Sequence, residues 1–224
     1  MAYILNIETA TKNCSVSVSE NGKTIALKEL NDGSYSHAEK LHEFIKEAVT
    51  KAGIEFSNLN AVAVSKGPGS YTGLRIGVSA AKGLCFALNI PLLSVNTLAS
   101  LANSIKVETG LKIPLLDARR MEVYTAVFDE KNEVVKEVTA RVIDESSFAD
   151  FLNKERVTFA GDGAEKCKNI IKHPNAFFID GLYPSAKEMA PLSYNKYMQN
   201  DFEDVAYFEP YYLKDFVVTK SKKA

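Results

Sequence analysis

The feature that most constrains this chain is a pattern that occurs twice. Residues 3–7 form a short apolar run that ends at Glu8, followed by a polar turn, an alternating segment (Cys14, Val16, Val18) and an Asn21-Gly22 hairpin signal. Residues 113–116 form a second apolar run that ends at Asp117. A polar turn follows it, then a segment marked by Tyr124, Ala126 and Phe128, and a hairpin near Asn132. The two acids lie 109 residues apart and the two hairpin asparagines 111. A strand–acid–turn–strand–hairpin unit recurring at one offset predicts two similar lobes, each opening as an antiparallel meander. A chain of 224 residues is long enough for this and can bury a core without disulfides or metal.

Periodicity fills in the rest. The run at 3–7 reads as a buried strand, and the alternation of Cys14, Val16 and Val18 with serines reads as a half-exposed one. A helix is predicted over residues 36–52, with Ala38, Leu41, Ile45, Ala48, Val49 and Ala52 on one face and Gly53 as its stop. A strand at 61–65, a glycine-rich loop, a helix over 70–88 and a strand at 91–95 follow. The second unit begins near Leu101, giving lobes of 1–100 and 101–224, with the last residues packing back on the first lobe. Within it the pattern predicts strands at 113–116, 124–128, 134–138 and 157–160. Helices are predicted at 145–152, after the Gly161-Asp162-Gly163-Ala164 turn, and over 185–199.

Composition narrows the function classes. Lys and Arg total 27 and Asp and Glu 28, so no global basic field exists to grip nucleic acid unaided. Cys14, Cys85 and Cys167 are odd in number and irregularly spaced, which argues for small buried hydrophobes rather than a disulfide framework. No basic segment precedes the first apolar run, an acid interrupts at Glu8, and no run reaches 18 apolar residues. The expectation is a cytoplasmic chain with no signal peptide and no membrane helix.

The clearest chemical signal is residues 65–75, SKGPGSYTGLR, between a strand and a helix. Its glycines let backbone N–H groups face an anion at a helix N-terminus. The alternative is a tight turn with Ser70 or Thr72 as N-cap. The loop is neither a P-loop nor a dinucleotide fingerprint, because no Gly-Lys-Ser/Thr closes it and its glycines are spaced too widely. In the helix that follows, Arg75, Ser79, Lys82 and Phe86 share one strip, and most of the remaining circumference is apolar. Such a helix needs cover on more than one side, from a partner subunit or from the chain itself. Gly73 and Gly77, four apart, would let a neighbouring helix approach. His37 and His42 are spaced i, i+5 and diverge by about 140°, so they do not form a metal pair. Glu8 and Asp117 can serve as acid, base or Mg²⁺-water ligands, or simply cap turns. Arg119-Arg120 and the lysines at 220, 222 and 223 are local basic clusters.

Taken in order, residues 4–11 (ILNIETAT), 36–39 (SHAE), 66–77 (KGPGSYTGLRIG), 94–98 (SVNTL), 117–120 (DARR), 122–124 (EVY), 161–163 (GDG) and 210–214 (PYYLK) resemble the TsaB (YeaZ) family across essentially the whole chain. The resemblance implies an α/β, two-lobed actin-like ATPase (ribonuclease H-like) fold, with duplicated mixed sheets and flanking helices. It also implies a non-catalytic subunit that pairs with a catalytic TsaD chain, is joined by a TsaE ATPase, and forms a homodimer when alone. The complex transfers threonylcarbamoyl to the adenosine beside the anticodon of ANN-decoding tRNAs, so tRNA is reached through the complex. TsaD-like chains carry an i, i+4 His pair for metal that this chain lacks. Carried onto this sequence, the partner interface comprises Leu41, Phe44, Ile45, Ala48, Tyr71, Leu74, Arg75, Val78 and Lys82. Phosphate-binding positions would be Glu8, Thr9, Gly67, Gly69 and Asp117, with ATP or ADP and Mg²⁺ at the subunit junction. Glu8 departs from the family, whose first strand usually ends in Asp. The alternative readings are an independent ATP-binding enzyme of the same fold, favoured by the duplicated units, and a metallopeptidase, for which the sequence has no peptidase constellation.

Overall fold

The computed structural model describes residues 1–33 and 37–214. The expected helix start at Ser36 and the lysines at 220, 222 and 223 lie outside the described residues. Two five-stranded sheets form the frame. The first contains β1 (Tyr3–Glu8), β2 (Cys14–Glu20), β3 (Lys23–Leu30), β4 (Ala61–Gly67) and β5 (Leu92–Asn96), in the order β3-β2-β1-β4-β5. The second contains β6 (Leu111–Asp117), β7 (Glu122–Phe128), β8 (Val134–Val142), β9 (Val157–Ala160) and β10 (Ala176–Ile179), in the order β10-β9-β6-β7-β8. Read from β8, the second order repeats the first. In each sheet the central strand pairs antiparallel with the next strand in sequence and parallel with the fourth. The duplicated unit is therefore a duplicated topology, and the acids Glu8 and Asp117 end equivalent central strands.

Central position explains the continuous apolar runs, because β1 and β6 are covered on both faces. Leu5 and Ile7 join Val62, Val64 and Leu92 beneath α1 (His37–Lys51) and α2 (Tyr71–Leu88). Ile4, Ala61, Ala63, Leu93 and Val95 pack on the other face with Ala186 and Met189 of α6 (Ala186–Met198). The second sheet likewise has two apolar faces, one around Phe159 and one holding Leu98 and Leu101 of α3 (Thr97–Ser104). Phe159 anchors the first of these, its ring 5.3 Å from Phe148 and 4.9 Å from Phe178.

Several expectations change. The serine face of β2 is buried, not half-exposed. Ser15 Oγ accepts from Ala186 N at 3.0 Å, Ser17 Oγ donates to Ala186 O at 2.8 Å, and Ser193 Oγ of α6 donates to Asn6 Oδ1 at 2.6 Å. The alternation is that of a strand whose polar face docks a helix, and that face is satisfied by hydrogen bonds rather than by water. Pro191 inside α6 removes the N–H that would reach Lys187 O, and Thr24 Oγ1 of β3 supplies that carbonyl with a donor at 3.1 Å. Helix α3 was not expected and runs through the anticipated boundary at 100/101; Asn96 caps it, accepting from Leu98 N and Ala99 N. Strand β10 was also missed. The helix expected over 145–152 contracts to α4 (Ala149–Leu152), because Asp144 holds a turn with Ser146 and Ser147, and Phe148 has φ 67°. The helix after Gly163 is the short α5 (Ala164–Lys168). Cys14, Cys85 and Cys167 are buried and free, each thiol pushed up to about 11 by burial. No helix among the described residues is long and apolar enough to cross a membrane.

Val78, 5% exposed, packs into the core between α2 and the first sheet. Val78→Arg therefore puts a charge into an apolar interior, at a cost of several kcal/mol. The expected outcome is loss of the cooperative unfolding transition in circular dichroism, not a folded chain with altered assembly.

Candidate functional site at the two acid-bearing turns and helix α2

The turn after β1 is clasped by α2. Ser70 N donates to Ala10 O at 2.7 Å, and Thr9 Oγ1 donates to Gly73 O at 2.8 Å. A Cβ at Gly69 would lie 2.5 Å from Ala10 O, one at Gly73 2.1 Å from Thr9 O, and one at Gly77 2.3 Å from Thr9 Oγ1. Glycine at i, i+4 and i+8 is thus the condition for the helix to lie on the turn. The close approach predicted at Gly73 and Gly77 exists, but the visitor is the Thr9–Ala10 turn rather than another helix. Ser70 caps α2, accepting from Gly73 N. His37 is buried with Nε2 2.7 Å from Thr11 O, while His42 is exposed.

Glu8 is fully buried. Its Oε1 accepts from Ala10 N at 2.7 Å, and its Oε2 has no hydrogen-bond partner among the described residues. Burial raises its pKa from 4.5 to about 7, against the lowering effect of the Ala10 N–H and of the polar groups of Ser65 and Thr9 nearby. Gly67, with φ 107°, has Tyr211 O where a Cβ would stand, at 2.8 Å.

The turn after β6 has different electrostatics. Asp117 is exposed; its Oδ1 accepts from Arg119 N at 3.0 Å and from the Lys166 ammonium. Lys166 Nζ also donates to Arg120 O at 2.9 Å and Glu122 O at 2.6 Å. Asp117 N donates to Oδ1 of Asp162, whose carboxyl burial holds above its usual range. Gly161-Asp162-Gly163 is the counterpart of Gly67-Pro68-Gly69: Gly161 has φ 117° and Gly163 N donates to Leu115 O. The sequence marked this segment as a turn but not as the partner of the first Gly-x-Gly, although its position after β9 matches that of the first after β4.

The five expected phosphate positions are not brought into one open cradle. Gly67 and Gly69 close on Tyr211 and Ala10, Thr9 is spent on Gly73, Glu8 is buried, and Asp117 is paired with Lys166. Thr9 Oγ1 and Ser70 N are committed to backbone oxygens and Asp117 to Lys166, while Glu8 keeps one carboxylate oxygen without a partner among the described residues. Among the described residues no group of three or more His, Cys, Asp and Glu can hold a metal ion.

The expected interface divides in two. Leu41, Ile45, Ala48, Leu74 and Val78, expected at a partner interface, are turned inward onto the sheet of this chain. Their periodicity marked a buried face correctly, but the chain's own strands cover it. Phe44, Tyr71, Arg75 and Lys82 stay at the surface, and Phe86 between the last two turns of α2 is 85% exposed. Residues 203–214 cross this face as a strap. Glu203 bridges to Leu92, Lys82 Nζ donates to Ala206 O and Phe208 O, and Tyr211 N donates to Lys66 O. The Tyr212 ring lies 4.9 Å from Tyr71, and Lys214 pairs with Glu122 of the second sheet.

The fold and these turns define a duplicated, two-lobed α/β protein of the actin-like class. The family model for TsaD, tRNA N6-adenosine threonylcarbamoyltransferase, matches residues 31–222. A curated relative in Escherichia coli (strain K12), called tRNA threonylcarbamoyladenosine biosynthesis protein TsaB, is 30% identical over 97% of this chain and 96% of its own. The Bacillus subtilis (strain 168) tRNA N6-adenosine threonylcarbamoyltransferase is 28% identical over 81% of this chain and 59% of its own. A solved Pseudomonas aeruginosa structure, described as an uncharacterized protein with similarity to peptidase YEAZ, aligns at TM-score 0.82 and 26% identity, over 96% of this chain and 100% of that one. The chain belongs to the TsaB (YeaZ) family, within the wider TsaD-type group.

Two outcomes test the packing of these turns. Gly73→Ala should destabilise by at least about 3 kcal/mol in urea denaturation, because the methyl meets backbone rather than a movable side chain. For Glu8, the folded carboxyl holds its proton up to about 7 and the unfolded one only to 4.5. Its contribution to stability therefore falls as pH rises through that window and is fully unfavourable above it. Glu8→Gln should gain on the parent between pH 5 and pH 8, with a ceiling of about 3 kcal/mol at ~1.36 kcal/mol per pH unit, read from paired thermal melts. A pH-independent difference would show that Glu8 is not the group titrating.

Proposed function

We propose that this chain is a scaffold and activating subunit, without catalysis of its own, for a tRNA threonylcarbamoyltransferase. Its direct partner is a TsaD-type catalytic chain; a TsaE-type ATPase joins them, and the tRNA is engaged by the assembly. One observation carries the reading. The turn after β1 is packed shut against α2 through Thr9 Oγ1 and Ser70 N, while α2 holds Phe86 out beside Lys82 and Arg75. A large aromatic at 85% exposure on a helix whose other faces are covered is what a docking ridge requires. The match of this chain to both TsaB and TsaD relatives supports a partner of similar fold. The same ridge serves self-association when the partner is absent. Tyr71, Arg75, Lys82 and half-buried Phe44 flank it and complete the contact.

Mixing the chain with its TsaD partner, the TsaE-type subunit, threonylcarbamoyl-adenylate and tRNA should raise transfer well above TsaD alone. ATP turnover by the isolated chain, with no gain in transfer, would favour the independent ATP-binding enzyme instead. Phe86→Asp places a charge on the ridge without touching the core. It should leave the melting temperature unchanged and weaken pairing by at least about tenfold, or ~1.4 kcal/mol, in calorimetric titration. Unchanged affinity would move the interface elsewhere.

A further inference from the structure

The hairpin between β6 and β7 carries two residues that nothing above employs. Arg119 has φ 70° and Arg120 φ 50°. Side-chain-bearing residues avoid this region, and adjacent positions of this kind are normally filled by Asn and Gly. Both arginines are exposed, and among the described residues neither guanidinium makes a hydrogen bond or ion pair; only their backbone groups do. The surrounding acids are occupied: Asp117 by Lys166, Glu122 by Lys214, and Asp162 by Asp117 N. Lys166, largely buried, braces the turn through Arg120 O and Glu122 O. Among the described residues the two arginines are thus cations without partners, beside a third that braces their turn. An unfavourable backbone conformation that carries them favours a role outside the chain.

We propose that the Arg119–Arg120 turn is a contact for RNA phosphodiesters, here the backbone of the tRNA that the assembly modifies. The proposal rests on the function argued above and names a surface for it. Guanidinium forks match phosphate oxygens bidentately, and neighbouring forks suit successive phosphates of one strand. The pockets lined by Ile171 and Phe178 and by Ile105 and Lys112 do not include this turn. An open tip suits a polyanion passing over the surface better than an enclosed mononucleotide.

The test uses the assembled complex with TsaD- and TsaE-type subunits and fluorescein-labelled tRNA, with anisotropy titrations at several salt concentrations. Arg119→Asn with Arg120→Gly gives the turn the residues it favours, so its melting temperature should equal or exceed the parent's. Its Kd for tRNA should rise at least about fivefold, and the slope of log K against log salt should shrink by about 1.4–1.8, the loss of two phosphate contacts. Arg120→Gln alone should shrink the slope by roughly half as much. Arg119→Lys with Arg120→Lys should recover most of it. Equal Kd and slope for the Asn/Gly variant, with the parent complex binding tRNA, overturns this proposal and leaves the proposed function standing. Loss of assembly with TsaD, or weakened ATP binding with tRNA affinity kept, overturns it in favour of a protein or nucleotide contact. A parent complex that neither binds nor modifies tRNA overturns both.

Discussion

The rest of the molecule depends on α2 lying directly on the Thr9–Ala10 turn. Without side chains at Gly69, Gly73 and Gly77, the helix comes near enough for Thr9 Oγ1 and Ser70 N to bond across the gap. That contact fixes the rotation of the helix. Leu74, Val78, Ala81 and Cys85 then face the sheet, and Arg75, Ser79 and Phe86 face away. The same contact lies over the turn beneath which Glu8 is buried and uses the Ser70 N–H. One packing choice therefore closes the turn and creates an outward ridge.

The two halves share a topology and differ in electrostatics. At the end of β1 the acid is enclosed, and the cost of burying its charge exceeds what Ala10, Ser65 and Thr9 return, so its proton is held to about 7. At the end of β6 the acid is open and meets an ammonium. Identical strand order says nothing about which outcome a lobe will have; that is decided by what the loop after the fourth strand brings in. Gly67-Pro68-Gly69 leads into a long helix that closes the turn, whereas Gly161-Asp162-Gly163 leads into a five-residue helix bearing Lys166.

Much of the frame was legible in the sequence because its signals are local. Central strands buried on both faces read as unbroken apolar runs, and Asn21-Gly22 fixes a hairpin by backbone conformation alone, with φ 48° and 80°. What covers a face was not legible. The serines of β2 and the apolar stripe of α1 looked the same whether met by water, by a partner or by the chain itself. Ser15 and Ser17 proved to meet α6, about 170 residues on, and Leu41 and Ile45 the first sheet. Helix α3 escaped notice because its eight residues are apolar on most sides and are shared between sheets. In the site, Gly69, Gly73 and Gly77 were visible as a spacing, but only the structure identified what approaches them.

The first sheet is finished by the last part of the chain. Ala186 and Met189 supply one of its apolar covers, and the segment from Glu203 to Tyr212 laces β5, α2 and Lys66 together. Without these residues the serine-lined face of the first sheet is bare and Lys82 and Tyr71 at the edge of α2 lose their strap contacts. The cover of the first sheet is thus non-local, and a chain cut before Ala186 would expose the serine-lined face that α6 closes.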